Sequence, residues 1–192
     1  MKRFILLAFI IAALVTHAFA QGYKISLEVQ GIKDTSVILG YYFNNKMLVH
    51  DTTKVDAKGH GLFSGEKPLP QGIYIVYLPD KTYFDFLVTH DQEFSIKTKA
   101  PDYLKDLVIV GSDESQKFLA NQKFMAHQQA LAQNLSARLE KNKGSSDSTA
   151  ILQKQLSAIG DESKAAMEQN HTGKPKNLFG YVFKGRARYR YP

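Results

Sequence analysis

Two histidine–aspartate pairs are the feature of this chain closest in type to catalytic chemistry. His50-Asp51 and His90-Asp91 each place an imidazole beside a carboxylate, the combination used in general acid–base catalysis. Neighbouring residues of a strand point to opposite faces of a sheet, so we expect that the two residues of each pair do not converge. We therefore interpret both pairs as surface or turn residues.

The other titratable residues do not form a metal-binding pattern. The remaining histidines after residue 20 are His60, His127 and His171, and no His-Glu-x-x-His motif is present. A loose acidic set surrounds one predicted hairpin and lacks the alternating oxygen ligands of a Ca²⁺ loop; its members are Asp80, Asp85, Asp91 and Glu93. We interpret these residues as solvated charges and expect no catalytic, cofactor-binding or metal-binding residue.

Nucleophile and phosphate motifs are also missing from the sequence. Ser64-Gly65 is not part of a Gly-x-Ser-x-Gly elbow, and Gly59-x-Gly61 precedes a predicted strand where a phosphate-binding loop would precede a helix. The chain has no cysteine, which excludes disulfides, thiolate metal ligands and a Cys-x-x-Cys redox pair. The sequence thus predicts a protein that is not an enzyme.

A cluster of aromatic residues leaves two interpretations open. Its members are Tyr74, Tyr77, Tyr83, Phe84 and Phe86. Aromatic residues at this spacing are typical of core positions and cross-strand pairs, which is the interpretation we favour. The alternative is a sheet face that binds a small or glycan ligand.

The net charge of +7 is concentrated at the two ends of the chain. Eight of the 25 basic residues lie in residues 1–3 or after residue 170, which leaves 17 against 18 acidic residues between them. The body is therefore nearly neutral, and we expect no nucleic-acid partner. The basic, aromatic tail at 186–192 is predicted to be a disordered end; contact with RNA or anionic lipid is the alternative.

The first twenty residues have the three parts of a secretory leader. Lys2 and Arg3 are followed by an apolar run at 4–15 and by Ala18-Phe19-Ala20, an Ala-x-Ala cleavage site. An apolar run of this length is too short to span a bilayer. We therefore expect a periplasmic or secreted protein without a stable membrane anchor.

The body is predicted to be mainly β with a helical part after it. Apolar and aromatic runs separated by turn signals predict about eight antiparallel strands in a sandwich or curled sheet; the runs are 22–31, 36–43, 46–55, 61–65, 72–78, 83–89, 93–98 and 107–110. Gly40 is a candidate bulge, and Asn44-Asn45 a tight turn. The predicted domains are a leader at 1–20, a β domain at 21–111, a helical hairpin at 112–172 and a linker-like tail at 173–192.

The hydrophobic period changes from two to 3.6 near Gly111, which predicts two helices at 114–142 and 149–170. Ser112 or Asp113 is the expected N-cap, with Gln116 reaching back to it. The predicted apolar face of the first helix consists of Phe118, Phe124, Met125, Leu131, Leu135 and Leu139, and that of the second of Ile151, Leu152, Leu156, Ile159 and Met167. A short loop between them predicts an antiparallel pair.

An ordered set of short motifs resembles a known family. The motifs are Asp51-Thr52-Thr53, Val55-Asp56-Ala57-Lys58-Gly59, Phe63 with Gly65, Pro70-x-Gly72-Ile73-Tyr74, Phe94-Ser95-Ile96, and Gly111-Ser112-x-Glu114-x-Gln116-x-Phe118. Together they resemble the domain of unknown function that precedes the thioredoxin domain in TlpA/ResA-like thiol–disulfide oxidoreductases of the bacterial envelope. The resemblance covers about 22–170, and 174–179 resembles the linker towards that thioredoxin domain.

The resemblance implies a non-enzymatic module that serves in docking, dimerisation or positioning of a redox domain, with a homodimer or a protein partner. The redox domain itself has no counterpart among these residues, and we expect a reading frame interrupted near 184–186 or a naturally short relative. A stand-alone periplasmic binding domain for a small or glycan ligand is the alternative function.

We predict that the exported chain begins at Gln21, because signal peptidase cleaves after the Ala18-Phe19-Ala20 site. N-terminal sequencing of protein recovered from the periplasmic fraction measures this. Material from that fraction that still begins with Met1 would contradict the prediction.

Overall fold

The computed structural model describes residues 22–43, 46–142 and 146–171. Eight strands are followed by two helices: β1 Tyr23–Gln30, β2 Thr35–Phe43, β3 Lys46–Val55, β4 His60–Gly65, β5 Gly72–Tyr77, β6 Tyr83–Val88, β7 Glu93–Lys99, β8 Val108–Val110, α1 Asp113–Lys141 and α2 Ser146–His171. The predicted class, mainly β with a following helical pair, is confirmed. The leader, the Asn44-Asn45 turn and the tail at 173–192 lie outside the described residues.

The strands form two four-stranded sheets that face each other. Sheet one has the order β4-β1-β7-β8, and sheet two has the order β3-β2-β5-β6. Apolar side chains from both sheets fill the space between them, as the contact between the rings of Phe86 and Phe94 shows, with centroids 5.8 Å apart. The alternating burial of β1, in which Tyr23, Ile25, Leu27 and Val29 are buried, follows from one face of the strand lying on this core.

One strand pair differs from the antiparallel arrangement that the sequence predicts. β1 runs antiparallel to β4 but parallel to β7, with Ile25 opposite Phe94 and Leu27 opposite Ile96. A parallel pair needs a long connection, and here five intervening strands supply it in place of a crossover helix. Hairpin patterns report only neighbours in the chain, so the pairing of β1 with β7 left no local signal.

The base of α1 packs against β6 of sheet two and β8 of sheet one. Ile75 and Leu87 are buried but point away from the main core, because they alternate with the core residues Tyr74, Val76 and Phe86. The Ser115 hydroxyl oxygen of α1 accepts a hydrogen bond of 3.2 Å from the backbone N–H of Leu87. Phe118, one turn later, is fully buried, so the first turns of α1 fix the helical pair to the sheet.

The predicted capping box is wrong. Ser112 is the N-cap residue, but its side chain makes no capping hydrogen bond, and only the Gln116 backbone N–H contacts the Ser112 carbonyl, at 3.0 Å. The Ser112 side chain is buried against the protein, where its hydroxyl does not reach the N–H groups of the first turn. The serine side chain that does bond near this helix start is Ser115, which contacts the sheet at Leu87.

The predicted apolar helix faces are only partly buried. Phe118 and Leu152 are buried, while Leu131, Ile151 and Met167 are 41%, 61% and 42% exposed. The two helices pack against each other as an antiparallel pair, and Gln128 Nε2 donates to Glu162 Oε2 at 2.7 Å. Beyond its base the pair therefore leaves apolar side chains open to solvent.

We predict that Phe118→Ala lowers the free energy of unfolding by about 3–5 kcal/mol, because it empties a fully buried site between helix and sheet. Leu131→Ala, on the same helix but exposed, should change it by less than about 1 kcal/mol. Urea unfolding followed by far-UV circular dichroism measures both. Equal effects would contradict this account of the helix base.

Candidate functional site

A bulge in β3 brings together two residues that regular strand geometry would separate. Leu39 pairs with Asp51 and Gly40 pairs with Val49, so His50 is an extra residue in β3 opposite this step of β2. The sequence predicted a bulge at Gly40. The irregularity does lie at Gly40, but the inserted residue is in the neighbouring strand, β3. The bulge turns His50 and Asp51 to the same side, where both contact Tyr23 of β1. The expectation that this pair does not converge is therefore wrong.

Three tyrosine rings surround the His50 imidazole at one end of the sandwich. The ring centroid of His50 lies 5.8 Å from that of Tyr23, 6.2 Å from Tyr41 and 6.3 Å from Tyr74, each in an edge-to-face arrangement. Tyr23 and Tyr74 are buried, whereas His50 is exposed and covers their rings. We call these four residues and Asp51 the aromatic end cluster.

Both buried phenols in the cluster are held in the neutral form. Burial raises the pKa of Tyr23 to about 12, and its hydrogen bond to Asp51 adds to the shift. The Tyr23 hydroxyl donates to Asp51 Oδ2 at 3.0 Å, and the Tyr74 hydroxyl donates to the Pro70 carbonyl at 3.0 Å. Burial, with a smaller effect from Tyr41, raises the pKa of Tyr74 to about 12 as well. At neutral pH the two hydroxyls thus act as fixed hydrogen-bond donors.

The cluster joins the two sheets and has the contacts of a structural site. Asp51 accepts from Tyr23 through Oδ2 and from the Thr52 backbone N–H through Oδ1, at 2.7 Å, so both of its oxygens have donors. The hydroxyls of Tyr23 and Tyr74 donate to partners within the fold. The geometry thus ties β3 to β1 across the core, and the imidazole of His50 is the polar group that faces solvent.

The second His–Asp pair and the acidic set are dispersed. His90 is exposed, with Nδ1 3.4 Å from Gln71 Nε2. Asp80 accepts from the Thr82 backbone N–H and from the Tyr103 hydroxyl, each at 3.0 Å, and the bonds to Thr82 keep its pKa below the usual range. Asp85 lies in β6 of sheet two and Glu93 in β7 of sheet one.

The aromatic set divides between the two faces of sheet two. Tyr74, Phe84 and Phe86 are buried in the core, whereas Tyr77 and Tyr83 pair across β5 and β6 on the other face. The five rings therefore do not line one groove. Ser64 is exposed, and Gly65 lies beneath the ring of Tyr23, where a Cβ would stand 2.5 Å from Cε1.

A charged group on the outer face of sheet one was not predicted from the sequence. Glu28 Oε2 lies 2.7 Å from Lys97 Nζ and 4.0 Å from His60 Nε2, and His60 Nδ1 lies 3.6 Å from Asp56 Oδ2. Glu28, Lys97 and His60 line an open groove of about 180 Å³ together with Ser26 and Ser95. The sequence predicted the polar face of β1. It did not predict the parallel pairing of β1 with β7, which brings Lys97 next to Glu28.

Residues 22–43, 46–142 and 146–171 contain no group of three or more His, Asp or Glu residues placed to hold a metal ion. Within the same residues, neither helix is apolar enough over a sufficient length to cross a bilayer.

Comparison with known proteins identifies one family. The family described as "Domain of unknown function (DUF4369)" matches residues 23–118, half of the chain. No curated protein matches the sequence significantly. The crystal structure of (S)-allantoin synthase is similar with a TM-score of 0.36 and 7% identity, over 50% of this chain and 45% of that one. The match thus spans less than half of that enzyme, and a likeness this low carries no argument.

We predict that Tyr23→Phe lowers the free energy of unfolding by about 1–2 kcal/mol, because it removes the hydrogen bond that joins the sheets at Asp51. Since the folded pKa of Tyr23 lies above the ordinary value of 10.0, the neutral phenol stabilises the fold below pH 10. That contribution is lost as the pH rises towards 12. Ultraviolet titration of tyrosinate measures the ionisation, and urea unfolding at pH 7 and pH 11 measures the stability.

The matched control is Tyr83→Phe, because Tyr83 is 53% exposed. It should leave the tyrosinate phase near pH 12 unchanged, whereas Tyr23→Phe reduces that phase. A variant at Tyr23 with wild-type titration and stability would show that the Asp51 contact contributes nothing.

Proposed function

The chain belongs to the DUF4369 family of domains of unknown function, and from this premise we propose that it is a non-enzymatic docking and positioning module for a thioredoxin-like redox domain of the TlpA/ResA type. In this proposal the module acts in the periplasm, to which the leader at 1–20 directs it. The redox domain carries the cysteines, since this chain has none.

The observation that carries the proposal is the return of α2 to the base of the helical pair. Asn142 accepts from Thr149 at the turn, and Gln128 contacts Glu162 midway, so the helices run antiparallel in a constant register. The same register places the end of α2, at His171, level with Leu119. Leu119 is buried beside the sandwich. The end of α2 is therefore directed back towards the base of α1, which suits a module that positions a following domain.

An open groove at this base supports docking. Leu104 and Lys105, from the segment between β7 and β8, line it together with Lys123, Ala126 and His127 of α1, around a volume of about 340 Å³. Lys123 Nζ donates to the Lys105 carbonyl at 2.9 Å, which fixes one wall of the groove to the other. The apolar side chains of Leu104 and Ala126 lie there beside two lysines and the carboxylate of Asp102, so the groove offers both an apolar and a charged surface to a partner.

The alternative of a domain that binds a small or glycan ligand has less support. Its basis was an aromatic sheet face, and three of the five aromatic residues lie in the core. The other two, the half-buried Tyr77 and the exposed Tyr83, lie on the opposite side of sheet two.

We predict that the chain binds a separately produced TlpA/ResA-type thioredoxin domain and that Ala126→Arg weakens binding by about tenfold or more, because a large cation fills the groove. Isothermal titration calorimetry measures the dissociation constant. In an insulin-reduction assay with dithiothreitol, the chain alone should give only the background rate, because it has no thiol.

The control is Ser36→Arg, in a second groove next to Lys54 and Asp56 on another part of the surface. It should leave the dissociation constant unchanged. Absence of binding by the wild-type chain, or equal loss in both variants, would contradict docking at the helix base; insulin reduction above background would contradict a non-enzymatic module.

A further inference from the structure

The outer edge of β3 is apolar and open. β3 is the last strand of sheet two, and among the residues that the structure describes no strand pairs with its outer side. Met47, Leu48 and Val49 are 49%, 37% and 67% exposed, and Phe43 at the end of β2 is 58% exposed. We call residues 46–49 of β3 the open edge.

The backbone of the open edge has hydrogen-bonding groups directed outward. Leu78 N–H donates to the Thr82 carbonyl at 2.9 Å, which identifies the hydrogen-bonded pairs between β5 and β6. The backbone N–H and C=O groups of successive residues point to alternate sides of a strand, so those of Ile75 point to β2. Ile75 pairs with Gly40, whose groups point back to β5, and the groups of the next residue, Tyr41, therefore point to β3. Tyr41 pairs with Leu48. The N–H and C=O groups of Leu48 therefore face β2, and those of its neighbours Met47 and Val49 point away from the sheet.

Edge strands usually carry features that prevent pairing, such as lysines, prolines or bulges. β3 has a bulge at His50, and its far end lies beside β4, where Asp56 N–H donates to the His60 carbonyl at 2.8 Å. The open edge has one lysine, Lys46, at its start and the bulge at its end, and Met47, Leu48 and Val49 between them are apolar and exposed. Four residues of strand with three apolar side chains are thus available for one more strand.

We propose that the open edge pairs antiparallel with the open edge of a second copy of this chain. Met47 then lies opposite Val49 of the second copy, and Leu48 lies opposite its own counterpart. Each copy has outward backbone N–H and C=O groups at Met47 and Val49. A two-fold axis at Leu48 pairs these groups of one copy with those of the other. The two second sheets join into one continuous sheet of eight strands.

Charge complementarity favours a second copy over another apolar strand. In this register Lys46 of one copy lies across from the bulge of the other, where the bulge has turned Asp51 to the face that Leu48 also occupies. Each end of the pairing therefore brings an ammonium group towards a carboxylate, and the middle brings apolar residues together. The proposal goes beyond docking of a redox domain, because the partner is the chain itself.

The test is sedimentation equilibrium of the full chain at pH 7, compared with the variant Val49→Lys. The wild-type chain should have a mass close to twice 21.6 kDa, or twice that of the chain without its leader. Val49→Lys should raise the dissociation constant of the dimer by about 100-fold, because a charge without a partner enters an apolar contact. The side chain is mostly exposed in one copy, so folding should be unaffected; circular dichroism verifies this.

Val110→Lys is the matched control, because Val110 is 57% exposed on β8, in the other sheet. It should leave the dissociation constant unchanged, and Lys46→Glu should weaken the dimer because it faces Asp51 with a like charge. A wild-type chain that stays monomeric, or Val49→Lys and Val110→Lys with equal effects, would overturn the proposal.

The outcome is separate from that of the docking experiment. Ala126→Arg should alter binding of the thioredoxin domain and not the mass of the dimer, and Val49→Lys should do the reverse. A dimer that depends on Val49 in a chain that does not bind a thioredoxin domain would support this inference and contradict the proposed function.

Discussion

The hydrogen bond from Tyr23 to Asp51 is the contact on which the end of the sandwich depends. It joins β1 of sheet one to β3, an edge strand of sheet two, at a point where β3 makes few other contacts with the core. Asp51 faces inward because it pairs with the buried Leu39, and the bulge adds His50 on the same side, over the rings of Tyr23 and Tyr74. Burying a phenol whose hydroxyl has a hydrogen-bond acceptor costs less free energy than burying one whose hydroxyl is unpaired. The bond to Asp51 therefore also stabilises Tyr23 in the core.

The sequence predicted local structure well because local structure follows period and turn chemistry. The strand from Tyr23 to Gln30 alternates strictly, and the helix that begins at Asp113 follows the change of period after Gly111. The parallel pairing of β1 with β7 depends on residues about seventy positions apart, for which a single sequence has no local signal. The convergence of His50 and Asp51 was missed for a related reason. Gly40 indicated an irregularity in β2, but nothing in the sequence indicated that the extra residue would lie in the neighbouring strand, β3.

The helical pair was predicted in position but not in burial. A single apolar stripe suggested a face packed along its length, whereas burial concentrates at Phe118 and Leu119, where α1 meets the sheets, and at Leu152. The outer face of sheet two is covered only in part: Ile75 and Leu87 are buried and α1 contacts β6, whereas Tyr83 is 53% exposed. The expected absence of catalytic and metal residues, and the domain boundaries, stay predictions.

The contact between Ser115 and Leu87 has a consequence for how far such sheets can grow. β6 is the second edge of sheet two, and its outward N–H at Leu87 is already bound by the Ser115 hydroxyl of α1. Association through strand edges needs two open sides to continue indefinitely, as in fibrils. At Leu87 the edge of β6 is therefore capped by α1 and offers no donor to an added strand, whereas the outer side of β3 at Met47 and Val49 is exposed.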